Sequence, residues 1–326
     1  MPADNYCPTA GWDQLRLRAG LLNRLRKFFE EQGFLEVETP LMSADVVVDR
    51  HLDPLSVLLP DDPRFPECGR RMWLQTSPEF GMKRLMASGG QAIYQVTRAF
   101  RAGESGELHN PEFTIVEWYR RDDSMQDGMQ LLSDLAATLL GTRSALCVSY
   151  EAAFEEYVHI NPHRCSMTDL RQVSKKHGLS LPDALSEDRD AWLNLLLTEK
   201  VEPQLGTDGA TILFDYPASQ AALATIRADD PPVAERFELY VRGVELANGY
   251  HELIDPDELQ QRNRQANVAR SADGKYSLPE QSQLLAAMRQ GLPRCTGVAL
   301  GWDRLVMLAV GASSISQVMT FPVDRA

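Results

Sequence analysis

Apolar side chains recur at helical spacing between Asp13 and Gln32, where Leu15, Leu22, Leu25 and Phe29 share a face and Arg and Glu occupy the other. Gly33 then supplies a helix stop. The stretch from Phe34 to Pro40 alternates apolar and polar residues, which predicts a half-buried strand ended by the proline. Met72 to Gln75 reads as a strand, Thr76-Ser77-Pro78-Glu79 as a turn and Phe80 to Ala87 as a short helix. Two longer strands are predicted over Ile93 to Phe100 and Glu112 to Tyr119, joined by the polar loop Arg101 to Pro111. Alternation along the second sets Phe113, Ile115, Glu117 and Tyr119 on one face, a mixture of acid and aromatics that suits a ligand cleft better than a dry core.

Helical patterns follow over Gln126 to Leu140 and Glu187 to Lys200. Arg236 to Leu246 reads as a strand, with Gly243 and Asn248-Gly249 as turn signals. Asp255 to Asp273 and Pro279 to Gln290 read as helices, and the C-terminal region as a strand (Thr296 to Leu300), a glycine and a helix (Trp302 to Val310). The pattern predicts an α+β fold with an antiparallel sheet flanked by helices. A single catalytic domain is expected over residues 1 to 326, with a mainly helical insertion around 165 to 208.

At 326 residues and 44% hydrophobic content, the chain can bury a sizeable core. Its apolar runs fall well short of the ~20 residues that span a bilayer. The first residues lack the basic and apolar segments of a secretory signal, so a cytoplasmic protein is expected. Five scattered cysteines without a C-x-x-C pair predict reduced thiols. His159, His163 and Cys165 have metal-like spacing, but Asn161-Pro162 breaks any helix that would align them. The net charge of -13 disfavours a nucleic-acid partner, while leaving room for a locally positive nucleotide site.

Three segments carry candidate chemistry. Phe100-Arg101-Ala102-Gly103-Glu104 with His109-Asn110-Pro111-Glu112-Phe113 places a phosphate-forking arginine before an aromatic that can stack on a purine. Glu245 and Glu252, expected across an Asn248-Gly249 turn, offer oxygen ligands to a divalent cation. Gly297-Val298-Ala299-Leu300-Gly301-Trp302-Asp303-Arg304 brings a glycine-bearing strand to a helix whose first amides and Arg304 favour an anion. Each signal is weak alone. No Walker or Rossmann glycine pattern is present.

Taken in order, the helix, strand and Pro40, then Phe100-Arg101 with Glu112-Phe113, then Gly301-x-x-Arg304, resemble motifs 1, 2 and 3 of the class II aminoacyl-tRNA synthetases. His109 to Thr114, Glu245-x-x-Asn248-Gly249-x-x-Glu252-Leu253 and Gly301 to Leu308 are similar to the lysyl branch. Val241 to Gly249, Gly297 to Gly301 and the ending Val323 to Ala326 look closest to its ligases that modify elongation factor P. That resemblance implies an ATP-dependent enzyme that activates (R)-β-lysine, and α-lysine less well, as the adenylate and passes it to a lysine side chain of elongation factor P.

The resemblance further implies that Arg101 and Arg304 clamp phosphates and that Glu245 and Glu252 hold Mg²⁺. Gly103, Glu104, His109, Asn110, Phe113, Leu246 and Gly301 would contact ATP. Ser77, Glu79, Tyr119, Glu252 and Ala299 would face the amino acid. Motif 1 implies a homodimer. The core motifs begin near Asp13, so no anticodon-reading domain is expected. Two departures stand out. Gly103 occupies the usual place of a glutamate, with Glu104 one position later, and Ala299 stands where lysyl enzymes have glycine. A tRNA-charging lysyl enzyme and a non-catalytic amino-acid-sensing paralogue are the alternatives, and the retention of Arg101, Arg304, Glu245 and Glu252 argues against the second.

Overall fold

The computed structural model describes residues 6 to 326. Along the chain the elements are α1 (Trp12–Glu31), β1 (Leu35–Glu36), β2 (Met42–Ser43), β3 (Ser56–Pro60), β4 (Gly69–Leu74), α2 (Glu79–Ala87), β5 (Ala92–Phe100) and β6 (Glu112–Arg121). Next come α3 (Met125–Leu140), β7 (Leu146–Ser149), α4 (Tyr150–Tyr157), α5 (Met167–Lys176), α6 (Arg189–Leu196), β8 (Ala210–Pro217), β9 (Ile226–Arg227), β10 (Val233–Val241) and β11 (Val244–His251). The last are α7 (Pro256–Ala272), α8 (Gln283–Gly291), β12 (Cys295–Gly301) and α9 (Trp302–Val310). The fold is α+β, its strands mostly antiparallel. Among the described residues no helix is long and apolar enough to cross a membrane.

Two compact units divide the chain: one of residues 1 to 122 with 253 to 326, the other of residues 123 to 252. In the first, β6 lies between β5 and β12, antiparallel to both, and β1 joins β5 in parallel. The apolar stripe of α1 explains its position. Leu21, Leu25, Phe28 and Phe29 are buried, and the Phe29 ring stacks on Tyr94 of β5 at 4.4 Å and packs against Trp118 of β6 at 5.3 Å. A separate small sheet, β2-β4-β3, belongs to the same unit. The strand expected from Phe34 to Pro40 is only two residues long, since beyond Val37, whose amide still reaches the Tyr94 carbonyl at 2.8 Å, no further ladder forms.

The second unit pairs β10 with both β11 and β8 in antiparallel fashion, with β7 parallel to β8. Helices α4 to α6 pack on it through Tyr150, Phe154, Leu170, Trp192 and Leu193, which meet Leu213, Tyr216 and Tyr240 of the strands. Ser124 opens α3 with a reciprocal capping box to Asp127, and Gly141 closes it in the left-handed conformation.

The β10–β11 hairpin bears out one of the two turn signals, Gly243, and corrects the other. Its turn is Arg242-Gly243, both at positive φ (53° and 72°), as a tight two-residue hairpin turn demands. Asn248-Gly249, read as the turn, lies within β11 opposite Glu238 and Phe237. The ladder hydrogen bonds of a long apolar strand outweigh a local turn preference there.

Candidate functional site

The first unit gathers Ser77, Glu79 and Tyr119 around a residue absent from the sequence-derived site, Glu117. Ser77 lies in the turn before α2, Glu79 opens α2, and Glu117 and Tyr119 alternate along β6, so all four side chains meet over one face of the sheet. Ser77 Oγ donates to Glu117 Oε2 at 2.6 Å, Tyr119 Oη donates to Glu117 Oε1 at 2.6 Å, and the Ser77 hydroxyl accepts the Glu79 amide at 3.1 Å. Glu117 is 1% exposed. Burial, and then the nearby Glu79 charge, push its carboxyl up to about 7, against the opposing pull of the two hydroxyls and of Lys83. Lys83, buried one turn along α2, forms an ion pair with Glu79.

Neighbouring strands complete this wall. Gln95 of β5 and Ala299 of β12 are the in-register partners of Glu117, so both side chains flank it on the same face. The Ala299 methyl therefore stands beside the buried carboxylate. Gly297 pairs with Tyr119 and Gly301 with Ile115, so β12 adds no side chain to that face at either position.

Motif 2 and motif 3 residues of the same unit lie close to one another. The Arg101 guanidinium sits 4.9 Å from the centre of the Phe113 ring and donates from Nε to the Thr76 carbonyl at 3.3 Å. Gly103 adopts φ 79°, a left-handed conformation that few other residues take cheaply, and the chain then returns so that Glu104 comes within 3.8 Å of Arg101. Arg304 projects from the first turn of α9, donating from Nε to the Leu108 carbonyl (3.2 Å) and from a terminal nitrogen to His109 Nε2 (2.7 Å). Burial, followed by the Arg304 charge, lowers the His109 pKa, which keeps the ring neutral and able to accept. Asn110 is pinned by its own side chain, donating to the Glu112 carbonyl and accepting the Val323 amide.

Beneath these residues Asp303 accepts the Thr114 amide at 2.7 Å and pairs with Arg18 of α1 at 2.7 Å. Arg18 also donates to Thr114 Oγ1 at 2.9 Å. One buried carboxylate thereby ties α1, β6 and α9 together, fixing the strand that bears Phe113 and the helix that bears Arg304.

In the second unit, Glu245, Leu246 and Glu252 lie along β11 and its extension. Seven residues apart, the two glutamates would face opposite sides of a regular strand. A bulge prevents this: Leu239 pairs with Ala247 but Tyr240 with Glu245, so one extra residue, at the buried Leu246, inverts the alternation. Glu245, Asn248 and Glu252 consequently share a face, and Glu252 continues the extended chain by bridging Ala224. Asn248 Oδ1 is buried without a hydrogen-bond partner. Asn248 stands between the two glutamates along the strand, and its orphaned amide oxygen, like their carboxylates, is the oxygen type of ligand that a hard divalent cation such as Mg²⁺ takes.

Opposite Asn248 lies Glu238, held by Arg236 (2.5 Å), Tyr216 (2.5 Å) and Tyr240 (2.6 Å). Among the described residues no group of three or more His, Cys, Asp or Glu side chains forms a metal cluster. Within the spaced trio, His159 instead bonds its own helix through the Glu155 carbonyl, and Cys165 lies against Arg189.

Glu117 was visible in the sequence as a polar member of an aromatic face, but its pairing with Ser77 depends on the turn before α2. Lys83 carried a signal too, four residues after Glu79 on a predicted helix. The family model described as tRNA synthetases class II (D, K and N) matches residues 12–325.

Proposed function

The chain belongs to the class II tRNA synthetases of the D, K and N group, and on that premise we propose that it is an ATP-dependent, AMP-forming ligase for a lysine-like diamino acid. In this reading it activates (R)-β-lysine in preference to α-lysine and passes the acyl group to a lysine side chain of elongation factor P.

The observation that carries the amino-acid class is the buried Glu117, with Glu79 beside it. Aspartate would bring a carboxylate against two acids, and asparagine would leave a buried anion without a cation. A lysine-type ammonium satisfies both demands, accepting a charge-assisted bond from neither neighbour but donating one to Glu117. The preference for the β-amino acid and for elongation factor P rests on the resemblance of Val241 to Gly249 and Gly297 to Gly301, and on the Ala299 methyl at the Glu117 position of the sheet.

Activation joins the amino-acid carboxylate to the α-phosphorus of ATP and expels pyrophosphate. The attacking carboxylate is already ionised at neutral pH, so the step needs no general base. Catalysis is then placement and charge neutralisation. Arg101 and Arg304 serve the phosphates, each oriented by a backbone carbonyl. Neutral His109 and the bonded Asn110 shape the nucleotide side, and a purine stacks on Phe113. Glu245 and Glu252 would hold Mg²⁺, which would supply charge neutralisation at the phosphates. In the second step the acceptor lysine, with a free pKa of about 10.4, must lose a proton before its amine attacks the acyl carbon and AMP departs. Exposed Trp12, Leu17 and Leu35 supply apolar surface for the homodimer contact expected of motif 1.

Amino-acid-dependent exchange of labelled pyrophosphate into ATP tests the substrate class. Exchange with β-lysine and α-lysine, and none with aspartate or asparagine, is the expected result. Exchange driven by aspartate or asparagine would refute it.

A further inference from the structure

The activation chemistry just described makes no use of Lys83. Its side chain is 2% exposed, between the buried Met82 and Met86 of α2, where an apolar residue would cost less to bury. An ammonium retained in such a place needs a reason, and its surroundings supply one. Lys83 pairs with Glu79, and Glu79 is one of the charged groups that act on Glu117. Among the described residues, the titratable groups that act on Glu117 are Glu79 and Lys83 from α2 and Tyr119 from its own strand. Ser77 adds a hydroxyl, and the flanking Gln95 and Ala299 carry no charge.

We propose that Lys83 is a positioning residue: by neutralising Glu79 within the wall of the pocket, it keeps Glu117 ionised and available to the substrate's ammonium. The role rests on the lysine-type reading and adds to it a division of labour between the two acids. Glu79 and Glu117 are two buried carboxylates on adjoining elements, and a pair of that kind without a counter-charge tends to share a single proton. A shared proton would turn half of the ammonium site into a neutral acid. The built-in lysine prevents this without entering the space that the substrate needs, because its ammonium approaches Glu79 from one helical turn away along α2.

Three variants test the role through the pH dependence of the apparent KM for lysine in pyrophosphate exchange, between pH 6 and 8.5. For the wild type the affinity should improve with rising pH, with a midpoint near the Glu117 value of about 7. Lys83→Met should move that midpoint up by about one pH unit, raising KM about fivefold at pH 7 and much less at pH 8.5, with the KM for ATP unchanged. Lys83→Arg should restore the wild-type midpoint. The double variant Glu79→Gln with Lys83→Met, which carries no buried charge on α2 and so provides a second fold-compatible test, should titrate at or below the wild-type midpoint.

A midpoint that stays put in Lys83→Met, or a KM raised by the same factor at every pH, would overturn the role and leave Lys83 as packing. So would a double variant shifted as far as the single one. Wild-type protein without lysine-dependent exchange at any pH would instead overturn the lysine reading itself, and this role with it.

Discussion

Replacing Glu117 by Gln should make the protein more stable and less active at once. The substitution keeps the shape of the side chain and its contacts with the Ser77 and Tyr119 hydroxyls, which can reorient toward an amide. It removes a carboxylate that is 1% exposed and titrates near 7 rather than at its ordinary 4.5. A carboxyl whose pKa is raised by folding binds its proton more tightly in the native state. It costs nothing below pH 4.5, where both states are protonated, and weakens the fold progressively as pH rises from 4.5 to 7. Above that window the full cost is about 3 kcal/mol, from 1.36 kcal/mol per pH unit over the difference between those two values.

Thermal or urea unfolding at pH 5 and pH 8 reads the effect. The gain of the Gln variant over wild type should be small at pH 5 and larger at pH 8. Function moves the other way: losing a buried, charge-assisted bond to the ammonium should cost about 3 kcal/mol, or about a hundredfold in the lysine KM. A variant destabilised equally at both pH values, or one with an unchanged lysine KM, would refute the reasoning.

Other substitutions probe separate parts of the site. Arg304→Lys loses the planar fork that spans Leu108 and His109, and should lower kcat/KM for ATP by at least about tenfold in exchange assays. Ala299→Gly removes the methyl beside Glu117 and should shift the α-lysine to β-lysine preference toward α-lysine by about 1 to 3 kcal/mol in competition assays. Glu245→Gln should raise the Mg²⁺ concentration needed for half-maximal exchange, read from a Mg²⁺ titration at fixed ATP. Asp303→Ala strands the partly buried Arg18 and frees the Thr114 amide, and should cost about 3 to 5 kcal/mol in urea unfolding.

Elements with a strong period were legible in the sequence. The α1 helix, the β5 and β6 strands and the α9 helix lie where apolar spacing and glycines predicted them, although the buried stripe of α1 runs through Leu21 and Phe28 with Leu25 and Phe29, leaving Leu15 and Leu22 only partly buried. Strand β11 was harder to read. Asn248-Gly249 is a strong turn signal, yet the turn falls at Arg242-Gly243, and only the ladder with β10 reveals the bulge that brings Glu245 and Glu252 to one face. The two glutamates thus share a face for a geometrical reason that no spacing rule contains.

Within the amino-acid wall, alternation placed Glu117 beside Tyr119, but its elevated pKa arises from burial and then from Glu79, which is 38 positions away in the chain. Lys83 was concealed for a similar reason, since a charge at helical spacing from a glutamate usually marks a solvated face and here marks a buried one. Charges that meet through tertiary packing leave no periodic trace.

The central claim is tested most directly by transfer of label. Labelled (R)-β-lysine or α-lysine would be incubated with ATP, Mg²⁺ and the protein, and offered to elongation factor P and, separately, to lysine tRNA. Label on elongation factor P, greater with β-lysine and lost on exchanging the acceptor lysine for arginine, is the predicted result. Label on the tRNA and none on the protein would contradict the account.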